Sequence, residues 1–175
     1  LFVHLVDDLI NKVEIFGLYF AALDIRQEAS EHAKVLQSIA DEAGTFPAGY
    51  SDLSDEEKID ALVNINASCD AEKITDEFAK DTLQTIAAVK HIQEQNGRKG
   101  CERYVISQCR SATHVMEVYG LFLLGGWTKD ELDIDIVPLF ETITDLQHAA
   151  GIMTELYSLP AYREHLGRRQ NRQTI

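Results

Sequence analysis

Three short apolar runs separated by helical stretches constrain the fold of this chain most strongly. The first, LYFAALDI (18–25), is nearly continuous in apolar residues, which is typical of a buried strand in a parallel sheet. RYVISQC (103–109) and IDIVPLF (134–140) are predicted as the second and third strands. Because helical patterns lie between these runs, their order indicates parallel βαβ units.

The spacing of apolar residues predicts seven helices around these strands. They cover about residues 1–16, 30–43, 54–66, 75–97, 112–124, 142–157 and 160–169. Ser30, Ser54 and either Thr142 or Thr144 are expected to cap the helices that they precede. One side of the longest helix is expected to pack inward, and it carries Phe78, Leu83, Ile86, Val89 and Ile92.

The number of strands suggests a segment of a larger sheet. Residues 1–175 are predicted to form a single segment, with a helical insert at about 44–100 in the first crossover. Three strands are too few to close a sheet, but they suit consecutive strands of a β/α barrel, which needs about 250 residues. We therefore expect a helix-rich α/β fold that forms part of a TIM-type (β/α)8 barrel. The abrupt ends of the sequence agree with a longer parent chain.

Composition and charge exclude several classes of function. The net charge of −13 argues against general binding to nucleic acid, because phosphates need a basic surface. No apolar run approaches the roughly 18 residues of a membrane span, so no membrane partner is expected. The three cysteines are odd in number and lack CxxC spacing, which favours a reducing cytoplasm over a disulfide framework or a zinc site.

Each predicted strand is followed by residues that could carry chemistry. Arg26 follows the first strand, Ser107 with Arg110 and Ser111 the second, and Glu141 the third. In a β/α barrel the carboxyl ends of the strands form the active site, so these side chains would share one face. Arginine suits a phosphate or carboxylate, and a carboxylate suits Mg²⁺ or Mn²⁺. The pattern predicts a phosphorylated, anionic substrate and a divalent metal.

Structural alternatives remain open for the same residues. Arg26 could form a rim ion pair with Glu28 or Asp24, and Glu141 could be an acid favoured by the dipole of the next helix. The two serines could bind backbone groups. The histidines form no HxxxH or HExxH pair, so structural roles are expected for them. The arginines at 163, 168, 169 and 172 form either a solvated helix end or the approach to an anion site.

Three stretches resemble the phosphoenolpyruvate carboxylase family, in the same order along the chain. FGLYFAALDIRQEASEH resembles the family segment with LDIRQ, an acid and a serine. RYVISQCRSATHVMEVYGL resembles its YVISM segment, and VPLFETITDLQHAAGIMTELYSLPAYR resembles its PLFET segment. The stretches cover most of the chain, and the helical insert matches least.

The resemblance implies an activity, a cofactor and two site residues. Members add bicarbonate to phosphoenolpyruvate and release oxaloacetate and phosphate, using Mg²⁺ or Mn²⁺, within a helix-wrapped β/α barrel that usually forms a homotetramer. In the accepted route, bicarbonate attacks the phosphate and the resulting enolate then attacks CO₂. By position, Glu141 matches the metal-binding glutamate of PLFET. Arg26 matches the arginine of LDIRQ that helps to hold the substrate phosphate.

The chain also departs from the family pattern. Ala29 stands where the family usually has a serine, and Gln108 and Cys109 stand where it has methionine and a small residue. The family's second metal ligand and its HGRGG motif would follow Ile175, and an earlier catalytic histidine would precede Leu1. No catalytic residue is therefore assigned within this chain, and the chain alone is expected to be inactive.

Two other functions remain possible from the sequence. The first is a non-catalytic helical binding or assembly module, in which Arg26 and Glu141 would only form ion pairs. The second is another metal-dependent barrel lyase that acts on pyruvate or phosphoenolpyruvate.

Overall fold

The computed structural model describes residues 2–17, 19, 21–44 and 47–175. These residues contain seven α-helices, which are α1 (Val3–Phe16), α2 (Ala29–Ala43), α3 (Asp55–Val63), α4 (Glu77–Asn96), α5 (Ala112–Leu124), α6 (Ile143–Ser158) and α7 (Pro160–Arg168). Three strands form the described sheet, β1 (Asp24–Glu28), β2 (Arg103–Ser107) and β3 (Asp135–Pro138). Short 3-10 turns cover Tyr50–Asp52, Ala71–Lys73 and Arg98–Gly100. The helix-rich α/β class predicted from the sequence is confirmed.

The sheet is parallel and its strands follow in chain order, β1-β2-β3. Arg26 lies beside Val105, which lies beside Val137. Tyr104 and Ile106 point to the opposite face of β2, and both are buried against the helices. In contrast, β1 contains no fully buried residue, although β3, which also has one neighbouring strand in the described sheet, is buried throughout.

Helix α5 forms the centre of the core. Nearly all of its residues are buried, because α2, α3, α4, α6 and β3 all pack against it. Gly120 allows the close approach of α3, since a Cβ there would lie 2.3 Å from Cδ2 of Leu62. The Tyr50 hydroxyl donates to Oε1 of Glu117 at 3.0 Å, and burial raises the pKa of Glu117 to about 7. These contacts anchor the segment between α2 and α4 on α5.

The first and third strands lie at different positions from those expected. The predicted first strand at 18–25 overlaps β1 at Asp24 and Ile25, but it is wrong for Ala21 to Leu23, which precede β1 and include Leu23 at 68% exposure. Leu18 and Phe20 lie outside the described residues. Pairing with β2 places the strand at Asp24–Glu28 instead. The third strand is shorter than 134–140 but is fully buried, as expected.

Two of the expected caps are confirmed. Ser54 and Thr142 each form a capping box with the acid three residues later. The cap at Ser30 is wrong, because α2 already begins at Ala29 and the Ser30 hydroxyl donates to Glu28. The α4 helix is capped by Asp76.

The periodic spacing of apolar residues predicts the presence of a helix better than it predicts which of its residues are buried. In α4, Leu83, Ile86 and Val89 are buried, whereas Phe78 and Ile92 are 41% and 37% exposed. The periodic apolar residues of α1 that the structure describes are all exposed. Among the described residues, no helix has both the length and the apolar character needed to cross a bilayer.

Candidate functional site

Polar side chains from one strand, two neighbouring loops and the start of one helix meet near the carboxyl ends of the strands. The carboxyl edge is defined here as Arg26, Gln108, Arg110, Glu141 and Asp145. The expectation that Arg26 follows the first strand is wrong, because pairing with β2 places Arg26 within β1. Gln108 and Arg110 lie in the loop between β2 and α5, Glu141 lies between β3 and α6, and Asp145 lies in the first turn of α6. Parallel strands bring these positions to one end of the sheet.

Arg26 and Glu141 form an ion pair across this edge. The guanidinium nitrogen of Arg26 lies 3.6 Å from Oε2 of Glu141, and their side chains are 58% and 36% exposed. Glu28 and Asp24, the partners considered from the sequence, bind Ser30 and Arg103 respectively. The structure therefore brings together the two residues that the sequence nominated for substrate and metal.

The backbone of Gln108 fixes the second oxygen of Glu141. The Gln108 N–H donates to Oε1 of Glu141 at 3.0 Å, and Gln108 adopts a left-handed φ of 53°. This conformation is uncommon for a residue other than glycine. Glu141 does not cap α6, because Thr142 and Asp145 form the capping box there. Asp145 is therefore the acid of the first turn of α6, and Glu141 lies one residue before the N-cap.

The serines and Arg110 bind structural partners at the same edge. The Ser107 hydroxyl donates to the carbonyl of Gln27 at 3.4 Å. Ser111 caps α5 by accepting the N–H of His114 at 3.3 Å. Both serines thus bind backbone groups, which was one of the two expectations. The Nε of Arg110 donates to Oδ1 of Asp145 at 3.3 Å.

The carboxyl edge has the chemistry of one part of a metal site, with the remaining ligands to come from elsewhere, rather than that of a complete metal site. Glu141 presents a partly exposed carboxylate, and carboxylate oxygen is a preferred ligand of Mg²⁺ and Mn²⁺. Among the described residues, no group of three or more His, Cys, Asp or Glu side chains could enclose a metal. Mg²⁺ is commonly held by one or two carboxylates with waters and substrate phosphate, so Glu141 could supply one ligand of such a site.

The opposite end of the sheet carries a different arrangement. The amino edge is defined here as Arg103, Asp135, Arg169 and Thr174. Arg169 and Asp135 lie 2.7 Å apart and are each 7% exposed, and Arg169 also donates to backbone carbonyls. A polar cavity of about 260 Å³ lies here, and Arg168 at its border pairs with Asp130 at 2.8 Å. Of the C-terminal arginines, Arg168 and Arg169 thus form ion pairs in this fold.

Buried histidines and cysteines supply structure at other positions. His32 lies 2.9 Å from the Tyr104 hydroxyl, and burial lowers its pKa to about 3. His165 donates to the carbonyl of Leu132, and burial lowers its pKa to about 4. The three cysteines are free thiols and buried, and burial raises the pKa of Cys109 to about 12. Such neutral, enclosed groups are poorly suited to catalysis.

Comparison with known proteins identifies the family. The parallel strands with polar side chains at their carboxyl ends are typical of α/β proteins that bind ligands there. A sequence model of the family described as Phosphoenolpyruvate carboxylase matches residues 2–175. The chain belongs to the phosphoenolpyruvate carboxylase family.

Individual relatives agree with this assignment. The chain is 34% identical over 169 residues to a phosphoenolpyruvate carboxylase of Synechocystis sp. The matched region covers 92% of this chain and 16% of the relative. The chain is 34% identical over 174 residues to one of Thermosynechococcus vestitus, covering 93% of the chain and 17% of the relative. The chain is 30% identical over 180 residues to a phosphoenolpyruvate carboxylase of Gloeobacter violaceus. This match covers 97% of the chain and 19% of the relative. The chain therefore spans less than a fifth of these relatives.

Sequence reasoning missed the contacts that hold Glu141 in place. The left-handed backbone at Gln108 leaves no sequence signal, because residues other than glycine and asparagine seldom adopt it. The position of Asp145 three residues after Thr142 was a readable signal for a capping box. The partner of Arg110 depends on loop geometry that spacing does not reveal.

Proposed function

We propose that this chain works within a longer phosphoenolpyruvate carboxylase, where it contributes part of the active site. That enzyme joins phosphoenolpyruvate and bicarbonate to form oxaloacetate and phosphate, which makes it a carboxy-lyase. Arg26 binds the substrate phosphate and Glu141 binds Mg²⁺ or Mn²⁺. The observation that carries the proposal is the 3.6 Å approach of Arg26 to Glu141 at the carboxyl edge.

The chemistry of the two side chains suits these roles. The guanidinium of Arg26 offers paired N–H donors that match phosphate oxygens and offset their negative charge. The carboxylate of Glu141, fixed by the Gln108 N–H, keeps an oxygen directed to the same region as Arg26. A divalent metal held there would polarise phosphate and enolate oxygens. Arg26 and Glu141 can therefore orient one phosphorylated substrate between them.

The open sheet supports a barrel as the parent architecture. Parallel sheets normally have both faces covered, yet β1 has no fully buried residue and Val105 is only partly buried. We propose that further strands of a TIM-type (β/α)8 barrel cover this face in the longer protein. The same reasoning favours membership of a barrel over an independent helical module.

The remaining properties follow from family membership and are part of the proposal. The complete protein forms a homotetramer and works in the cytoplasm, which suits three free thiols. The 175 residues alone lack activity, because one carboxylate and one arginine do not complete the site. A lyase of another family is disfavoured by the match over residues 2–175.

Replacement of Glu141 in the complete protein tests the proposal. Glu141→Gln is expected to raise the Mg²⁺ concentration needed for half-maximal oxaloacetate formation by about a hundredfold, since a neutral amide is a weaker ligand than a carboxylate. Glu155→Gln is the matched control. Because Glu155 is an exposed residue of α6, the metal requirement of this variant should stay unchanged. An unchanged metal requirement in Glu141→Gln would refute the role of Glu141.

A further inference from the structure

The loop that carries Glu141 is held to the neighbouring loop at two points. The Gln108 N–H donates to Glu141 itself at 3.0 Å. Two residues further along the same loop, Nε of Arg110 donates to Oδ1 of Asp145 at 3.3 Å. Both contacts thus originate in the loop after β2, one made to Glu141 and the other to Asp145. The second contact reaches Glu141 only through Asp145 and Thr142.

Asp145 connects Arg110 to the residue beside Glu141. Its Oδ2 accepts the Thr142 N–H at 3.0 Å, and its own N–H donates to the Thr142 hydroxyl at 3.1 Å. Its Oδ1 accepts from Arg110, so both carboxylate oxygens are engaged. The Asp145 side chain is 2% exposed. A carboxylate so enclosed and so fully bonded holds the backbone at Thr142 in one conformation.

We infer that Arg110 is a positioning residue, which acts through Asp145 and Thr142 to hold the Glu141 carboxylate in place for the metal. This inference rests on the proposed function of Glu141. Groups that orient a metal ligand strengthen metal binding without touching the metal, and losing one weakens metal affinity by about ten- to a hundredfold. Arg110 also fixes its own loop, since its N–H donates to Nδ1 of His114 at 3.2 Å.

Arg110 is exposed whereas Asp145 is buried, and this difference allows a positioning role of Arg110 to be distinguished from a purely structural role. The Arg110 side chain is 60% exposed, so its removal leaves no buried cavity. The Asp145 side chain is 2% exposed, but it keeps both of its bonds to Thr142 when Arg110 is removed, so Arg110→Ala should still fold, and its melting temperature is measured alongside. A loss of metal affinity without a loss of thermal stability would therefore reflect the position of Glu141.

Titration of the complete protein with Mn²⁺ tests the inference. Free Mn²⁺ measured by electron paramagnetic resonance should show a dissociation constant about tenfold higher in Arg110→Ala than in the unmodified protein. The kcat at saturating Mn²⁺ should stay within about twofold, because Glu141 is still present. Arg163→Ala is the control, since Arg163 is an exposed arginine of α7 and its removal should leave Mn²⁺ affinity unchanged.

A second variant establishes whether Arg110 acts through Asp145. Asp145→Asn keeps an oxygen for the Thr142 N–H and presents an amide N–H₂ group to Arg110, so it should weaken Mn²⁺ binding to a similar extent. The double variant should be no weaker than either single variant, because one interaction is removed in all three. Effects that add would overturn the route through Asp145.

Glu141→Gln separates the failure of this inference from the failure of the proposed function. If Glu141→Gln weakens Mn²⁺ binding and Arg110→Ala does not, the role of Arg110 is refuted while Glu141 keeps its function. If Glu141→Gln also leaves Mn²⁺ binding unchanged, both are refuted. A lower melting temperature in Arg110→Ala with unchanged Mn²⁺ affinity would assign Arg110 a structural role only.

Discussion

The two ends of the sheet use the same pair of chemical groups in opposite ways. At the amino edge, Arg169 and Asp135 are 2.7 Å apart and 7% exposed. At the carboxyl edge, Arg26 and Glu141 are 3.6 Å apart and 58% and 36% exposed. Asp135 also binds the Thr174 hydroxyl, so the amino edge is closed by several bonds. The carboxyl edge keeps its charges accessible.

Under the proposed function, this difference in exposure assigns stability to one end of the sheet and ligand binding to the other. A buried ion pair is expensive to break, because the remaining charge loses both its partner and water. An exposed, loosely paired arginine and carboxylate contribute little to folding and can exchange partners for ligands. In β/α barrels, residues at the carboxyl ends of strands serve catalysis and those at the amino ends serve stability.

Arg169→Ala should give the largest effect, and it tests the amino edge. The variant leaves Asp135 buried without its partner, so we expect the free energy of local opening at β3 to fall by about 3–5 kcal/mol. Hydrogen exchange of the β3 amides in the complete protein measures this change.

The neighbouring Arg168→Ala is the control for that experiment. Arg168 pairs with Asp130, whose side chain is 92% exposed, so the change should be less than about 1 kcal/mol. Equal effects of the two variants would show that the amino edge is not a distinct stabilising site.

Arg26→Ala should have a smaller effect, and it should weaken substrate binding rather than lower stability. Hydrogen bonds to a charged group contribute about 1.5–3 kcal/mol, so the phosphoenolpyruvate concentration at half-maximal rate should rise by about ten- to a hundredfold. Steady-state kinetics of the complete protein at saturating Mg²⁺ measures it. Arg26→Lys should recover part of the loss, since lysine keeps the charge without the paired donors. If Arg26→Ala speeds hydrogen exchange of the β1 amides and leaves the kinetics unchanged, then Arg26 has a structural role, as Arg169 does.

The fold was predictable where local signals and burial agree. Ser54 and Thr142 precede apolar periodic stretches and have an acid three residues later, so sequence and structure give the same helix starts. The run LYFAALDI misled because an apolar run specifies neither strand pairing nor burial, and Ala21 to Leu23 are exposed. The strand instead covers Asp24–Glu28, where β2 supplies the hydrogen-bonding partner.

The nearness of Arg26 and Glu141 could be expected from the sequence, but their contacts could not. Arg26 and Glu141 could be nominated because parallel strands gather their carboxyl ends at one edge. Their approach to 3.6 Å and the Gln108 N–H bond depend on how two loops fold beside each other. The exposed apolar side of α1 shows the same limit, since periodicity does not reveal which partner covers a face.

The position of a bound metal tests the central claim most directly. We predict that crystals of the complete protein grown with Mn²⁺ and phosphoenolpyruvate show an anomalous peak at about 2.0–2.3 Å from a Glu141 carboxylate oxygen, with the substrate phosphate in contact with Arg26. The amino edge around Asp135 and Arg169 should show no such peak. A Mn²⁺ ion bound in the protein with no contact to Glu141 would contradict the assignment of the carboxyl edge as the functional end of the sheet.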